Sequence, residues 1–331
     1  MLQQHWVEPQ TGESLAVSLR AVLASFGVTR SGDELVAVLG LGNACTFDAA
    51  EPPAAWGHLA RDLNLPAAAE RYGLRLRELH PRPAAHNLRG SAEFAGHFRD
   101  SYLPLIARAC DHGQVLLAWR GWPPPRDNFW GVIVEVRGSM VVGHTLLHGG
   151  QPLPLSGPAH QVYVVEACAP PPAARLAPGV LFRVAARATA RFWSDATDDE
   201  AGGVETGRRA CDALCDVLTR SGSAITAGEL AMLATGMAAA RRGLCAWLND
   251  TAGELRGAAG DLCRAWLSAG QLAADALLAA VHSSGEEGGS AAGHAEARAR
   301  VVAALREVRR VESDLADRLR DWLDEAAVDR E

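Results

Sequence analysis

The chain reads as an α+β protein, with a helix-led half that carries an antiparallel sheet, followed by an all-helical half. Three observations predict this. The opening segment repeats apolar residues at helical spacing. Runs rich in β-branched and aromatic residues then crowd between Val115 and Cys168. From Val204 the helical period returns and holds to the end. A length of 331 residues suits about two domains. The Pro-rich stretch Ala169–Pro178 reads as the linker between them, because such segments stay extended and pack little. The expected organisation is therefore 1–168, a linker at 169–178, and a helical bundle at 179–331.

The elements follow in order. Glu13–Phe26 predicts a helix, with Leu15, Leu19, Val22, Leu23 and Phe26 on one stripe and Gly27 as its stop. Ser31 and Glu34 form a capping box for a short helix, Asp33–Leu39. A turn at Gly40–Asn43 follows, then two short helices near Ala54–Leu63 and Pro66–Tyr72. Leu74–Leu79 alternates apolar and basic residues, as a strand does. A long helix is expected over Ala92–Cys110. Val115–Trp119, Phe129–Val136, Met140–Leu147 and His160–Cys168 read as strands, the middle two joined in a hairpin at Arg137-Gly138-Ser139. Leu181–Trp193 fits strand or helix, and Asp195–Gly203 reads as loop. Val204, Cys211, Leu214, Cys215 and Leu218 mark the face of the next helix. Thr226 with Glu229, and Thr251 with Glu254, read as two more capping boxes. His282–Gly293 is a flexible connection. Val301, Leu305, Val308, Leu315, Leu319 and Trp322 form the stripe of a last amphipathic helix, suited to packing within the chain or to self-association.

Composition removes several function classes. There are 32 basic and 39 acidic residues, a formal charge of −7. Every basic residue is Arg, so Schiff-base and phosphate-loop lysine chemistry is excluded. The acidic balance argues against nucleic acid as a partner. The start, MLQQHWVEPQ, lacks the basic and apolar regions of a signal peptide. The apolar runs fall short of the roughly 20 residues a membrane helix needs. The expectation is a cytoplasmic protein without membrane insertion. Seven Cys without a CxxC pair read as small buried hydrophobes.

The most informative stretch is Glu13-Ser-Leu-Ala-Val-Ser-Leu-Arg-Ala-Val-Leu-Ala-Ser-Phe-Gly27. With the short acidic helix after it and the later run Asn128-Phe-Trp-Gly-Val-Ile-Val-Glu-Val136, it resembles the papain-like superfamily over roughly residues 10–168. The likeness is to double-glycine leader peptidases and to the N-terminal domain of butirosin biosynthesis protein H. The resemblance implies a papain-like fold with a catalytic Cys opening the helix, where this chain has Ser14. It implies a His opening the strand, where this chain has Asn128 or Phe129. It puts the third catalytic position near His144. An upstream Gln helps form the oxyanion hole in these families; the aligned place is nearer Glu8, with Gln10 the candidate.

These departures bear on the chemistry. A helix dipole and an imidazole favour a thiolate, but they cannot ionise a serine, which needs a base within hydrogen-bond reach. The resemblance therefore implies a catalytically degenerate domain, a pseudoenzyme that binds a peptide or acyl-carrier-like ligand in the ancestral cleft. Trp119, Trp122, Trp130 and Asn43 are the candidate cleft-lining residues. The alternatives are an active amidase or acyltransferase using Ser14 with a relocated His (His5, His58 or His144), and an interaction protein acting through the C-terminal helices. Ser14 also has a plain reading as the helix cap. No cofactor is expected. His144 and His148 have HxxxH spacing but lie in β-rich sequence, so no metal site is expected there. Gly40-Leu-Gly42 follows a helix and is read as a turn, not a dinucleotide loop.

Overall fold

A computed structural model of the chain describes residues 13–48, 65–79, 91, 93–123, 129–146, 151–169, 171–194, 204–220, 225–282 and 291–328. In chain order the elements begin with α1 Ser14–Ser25, α2 Gly32–Val38, β1 Thr46–Asp48, α3 Leu65–Arg71 and β2 Leu74–Glu78. They continue with α4 Phe94–His97, α5 Leu103–Asp111, β3 Leu116–Trp119, β4 Trp130–Arg137, β5 Met140–Thr145, β6 Leu153–Pro154 and β7 Gln161–Cys168. The last part holds α6 Pro178–Phe192, β8 Val204–Thr206, α7 Gly207–Thr219, α8 Ala227–Ala252, α9 Gly257–His282 and α10 Ala291–Val328. The helices expected at Ala54–Leu63 and the loop at Asp195–Gly203 lie outside the described residues.

The chain divides into two compact units. One combines Met1–Leu35 with Asn64–Ala173, and the other combines Val36–Leu63 with Ala174–Glu331. The last crossing falls inside the predicted linker. The first falls inside α2.

The first unit is built on a six-stranded antiparallel sheet in the order β2-β7-β3-β4-β5-β6. Strand side chains alternate between faces. On one face Leu116, Ala118, Ile133, Val141, Val162 and Val164 are buried in one core with Phe94, Phe98, Tyr102 and Ile106. Each such side chain contributes about 1.5–3 kcal/mol through burial. Trp122 joins that core by lying over two strand positions without side chains. A Cβ on Gly143 would meet Trp122 Cη2 at 2.9 Å, and one on Gly131 would overlap the same ring. The helix predicted over Ala92–Cys110 is present but interrupted by a π-helical turn, Phe98–Tyr102, between α4 and α5. Pro104 lies in the first turn of α5 and cannot donate to the preceding turn, so the ladder widens there.

α1 packs against β4. It buries more than its predicted stripe: Leu15, Ala16, Val17, Ser18, Leu19, Ala21, Val22 and Leu23 are all enclosed, while Phe26 is 43% exposed. Ser31 caps α2 as expected, its Oγ accepting the Glu34 N–H at 3.1 Å.

Among the described residues the second unit is helical apart from a two-stranded antiparallel ribbon of β1 and β8, in which Thr46 pairs with Thr206. Val204–Thr206 was expected to open a helix; it is this strand, and the helix starts at Gly207. The ambiguous Leu181–Trp193 segment is helix α6, begun by Pro178, with Leu181, Phe182, Ala185, Ala186, Thr189 and Ala190 buried at helical spacing. Thr226 and Glu229 form the predicted capping box at the start of α8. Thr251 does not cap a helix. It lies in the last turn of α8, and its carbonyl accepts the Glu254 N–H. The α10 stripe is consumed within the unit: Val301, Leu305, Val308, Leu315 and Leu319 are buried, and α10 packs on α6, α7 and α9.

Candidate functional site

Ser14 is the first residue of α1, and Glu13 holds the cap position. Ser14 is therefore not the helix cap. Its Oγ instead accepts the backbone N–H of Trp130 at 3.1 Å. Trp130 is fixed from three sides. It opens β4 opposite Trp119. Its carbonyl accepts the Thr145 hydroxyl at 2.9 Å. Its ring stacks on Tyr163 at 6.2 Å between centroids. The N-terminus of α1 is thus pinned to the head of β4.

This geometry leaves the Ser14 oxygen engaged as an acceptor, with its own proton available to donate to a ligand carbonyl or carboxylate. Among the described residues the hydrogen-bond partner of Oγ is this amide, not an imidazole. His144 lies in β5 opposite Val132, which puts it one alternation along the sheet from Trp130 on the same face. It is buried. The sequence order Ser14, β4, His144 is thus reproduced in space as neighbouring elements, without a hydrogen bond between Ser14 and His144.

Sequence reasoning missed Glu13. It is half-buried at the N-cap, and desolvation raises its carboxyl from the usual carboxylate range to about 7, against the pull of the Leu15 N–H. A group that titrates near neutrality therefore directly precedes Ser14 in the chain. The signal was available: an acidic residue directly preceding a helix that is apolar on nearly every side is forced toward the protein interior.

The expected cleft-lining residues are buried. Trp119, Trp122 and Trp130 are at most 3% exposed. They pack within the sheet layers, Trp122 over Gly131 and Gly143, rather than presenting a surface. The Arg120 guanidinium lies 5.0 Å from the Trp119 ring centre, and Arg120 is the one non-glycine with positive φ among the described residues, at 65°. Asn43 belongs to the other unit. There its Oδ1 accepts the Trp266 indole N–H at 2.7 Å and its backbone oxygen accepts the Trp193 indole N–H at 2.8 Å. It is a buried structural hub of that unit.

Next to that hub is a charge pair that the pattern did not announce. Arg241 Nε and Nη2 donate to the two Glu312 oxygens at 2.6 and 2.7 Å, and Nη1 donates to the Met237 carbonyl at 3.0 Å. Both residues are fully buried. Burial pushes the Glu312 carboxyl above its ordinary value, opposed by Arg241 and more weakly by the Asn43 amide.

Gln10, Asn128, His5, His58 and His148 lie outside the described residues. Among the described residues, no group of three His, Cys, Asp or Glu is placed to hold a metal ion. No helix among them is long and apolar enough to cross a membrane. No protein-family model matches this chain, and no curated protein matches it in sequence.

Proposed function

We propose that the first unit is a papain-like domain that has given up nucleophilic catalysis and binds a peptide or acyl-carrier-like ligand beside Ser14. One observation carries this reading: the hydroxyl at the head of α1 is held by the backbone amide at the head of β4. A helix N-terminus against the start of a strand that runs into a hairpin is what the papain-like resemblance implies, and it supports this reading. At its centre this chain has a neutral hydroxyl bound to an amide, where that chemistry needs a nucleophile paired with a base. The hydroxyl proton and the α1 dipole suit an oxygen-rich ligand group. The protein is proposed to act in the cytoplasm, since all seven cysteines are free thiols, as suits a reducing compartment.

The test is acyl transfer and amide hydrolysis measured with activated esters and peptide amides, for the native protein and Ser14→Ala. The expected result is equal background rates in both. Turnover that disappears in Ser14→Ala overturns the binding reading.

A second reading has its own observation. In it Glu13, adjacent to Ser14 in the chain and raised to about 7, takes the Ser14 proton, and Ser14 is the nucleophile. Labelling of Ser14 by a fluorophosphonate, lost in Glu13→Gln, is the result that favours it.

A further inference from the structure

Of the seven cysteines, Cys45 and Cys211 form the thiol–thiol contact of the described residues: the Cys211 S–H donates to Cys45 Sγ at 3.3 Å. Other thiols have different neighbours. Cys215, Cys245 and Cys263 each point a thiol at a backbone carbonyl, of Val302, Leu267 and Leu248 respectively. Cys110 and Cys168 are partly exposed in the first unit.

The backbone on both sides of the pair is fixed before any bond forms. The Cys45 carbonyl accepts the Gly207 N–H at 2.9 Å, and the next residue, Thr46, pairs with Thr206. Gly207 adopts φ +54°, and a Cβ there would meet the Phe192 carbonyl oxygen at 2.6 Å. Only glycine makes that turn from β8 into α7 without strain. One helical turn later comes Cys211, aimed at Cys45. The sulfurs are thus held about one ångström beyond bonding distance by a strand register and a helix start.

We propose that Cys45 and Cys211 are a covalent modification site, a dithiol that hydrogen peroxide converts to a disulfide. One thiol, as its thiolate, attacks a peroxide oxygen and becomes a sulfenic acid, releasing water. The second sulfur displaces the sulfenic oxygen as a second water, with the S–S bond formed and the two thiol protons carried off in the waters. The two sulfurs are oxidised and the peroxide is reduced. Arg241 assists by favouring the thiolate of Cys211, while the Cys45 contact, burial and Glu312 oppose it and keep Cys211 a thiol under reducing conditions. Both residues are buried, so the reaction proceeds through local opening and is slow. Its product ties residues 166 apart in sequence and fastens the β1 segment to α7.

The full-length protein, reduced and desalted, is treated with a small excess of hydrogen peroxide, denatured in N-ethylmaleimide, and analysed by intact mass and peptide mapping. The expected result is a loss of about 2 Da and of two maleimide adducts. A linked Cys45–Cys211 peptide is expected, with a melting temperature raised by about 5 °C or more and restored by dithiothreitol. Cys110→Ser keeps the linked peptide; Cys45→Ser and Cys211→Ser lose it. If either of those variants fails to fold, the native peptide map alone decides. Recovery of Cys45 and Cys211 both as maleimide adducts, while Cys110 or Cys168 is oxidised, overturns the proposal. So does their conversion to sulfinic acids in place of the linked peptide.

Discussion

The Trp130 amide and the Ser14 hydroxyl, 116 residues apart, are joined by a 3.1 Å hydrogen bond. That bond sets the α1 N-terminus on the sheet. It also gives Ser14 a structural role. Ser14→Ala leaves a partly buried N–H without its acceptor and is expected to cost about 1–2 kcal/mol. Urea unfolding of the native protein and the variant measures it; an unchanged midpoint refutes the role.

Glu13 predicts a pH dependence with an unusual sign. Its folded value, about 7, lies above the ordinary carboxylate value of 4.5. Between these two values the folded state holds more protons than the unfolded chain, so stability falls as pH rises. The contribution is complete below the ordinary value and gone once pH exceeds about 7, an effect on the order of 1–3 kcal/mol. Glu13→Gln is expected to flatten the curve. Denaturation midpoints at pH 5 and pH 8 for both proteins supply the comparison, and an equal slope in the two refutes it.

The Arg241–Glu312 pair is fully buried and doubly hydrogen-bonded. Removing one partner strands a charge away from water. Arg241→Met is expected to destabilise by about 3–5 kcal/mol, and Arg241→Met with Glu312→Leu to recover most of that loss. A double-mutant cycle by chemical denaturation tests it; additive losses would show that the pair is not coupled.

Gly131 has no room for a side chain, since a Cβ there would lie 2.5 Å from the His144 carbonyl oxygen and overlap the Trp122 ring. Gly131→Ala is expected to cost about 3 kcal/mol by displacing Trp122. Near-ultraviolet circular dichroism should show the tryptophan signal altered, and a variant with native spectrum and stability contradicts the packing account.

The fold class was legible in the sequence because periodicity is local. Leu74–Glu78, the β4–β5 hairpin and α1 were each visible from spacing alone, and Ser31 and Thr226 from their caps. The failures come from what surrounds a segment rather than from its own pattern. Val204–Thr206 is a strand because Thr46–Asp48 is there to pair with it. Thr251 resembles a cap, but α8 runs through it, since buried Leu244 and Leu248 carry the helical face past the signal. The candidate site was half legible. α1, β4 and β5, which carry Ser14, Trp130 and His144, could be read from spacing, while the indole partners of Asn43, Trp193 and Trp266, lie too far along the chain for any local pattern to show. Glu13 escaped notice because its environment is made by the fold.

The chain's passage between units inside α2 also orders events in time. The first unit is complete once Ala173 has been synthesised, but the β1 segment waits for α7, and Cys211 is made 166 residues after Cys45. At 5–20 residues per second, that is a delay of about 8–30 s on the ribosome. During it Phe47 and Cys45, buried in the finished protein, have no helices to cover them. A gene fragment ending at the linker would make this wait permanent, so the N-terminal half cut there carries an orphaned strand and is a candidate for aggregation rather than a free-standing domain.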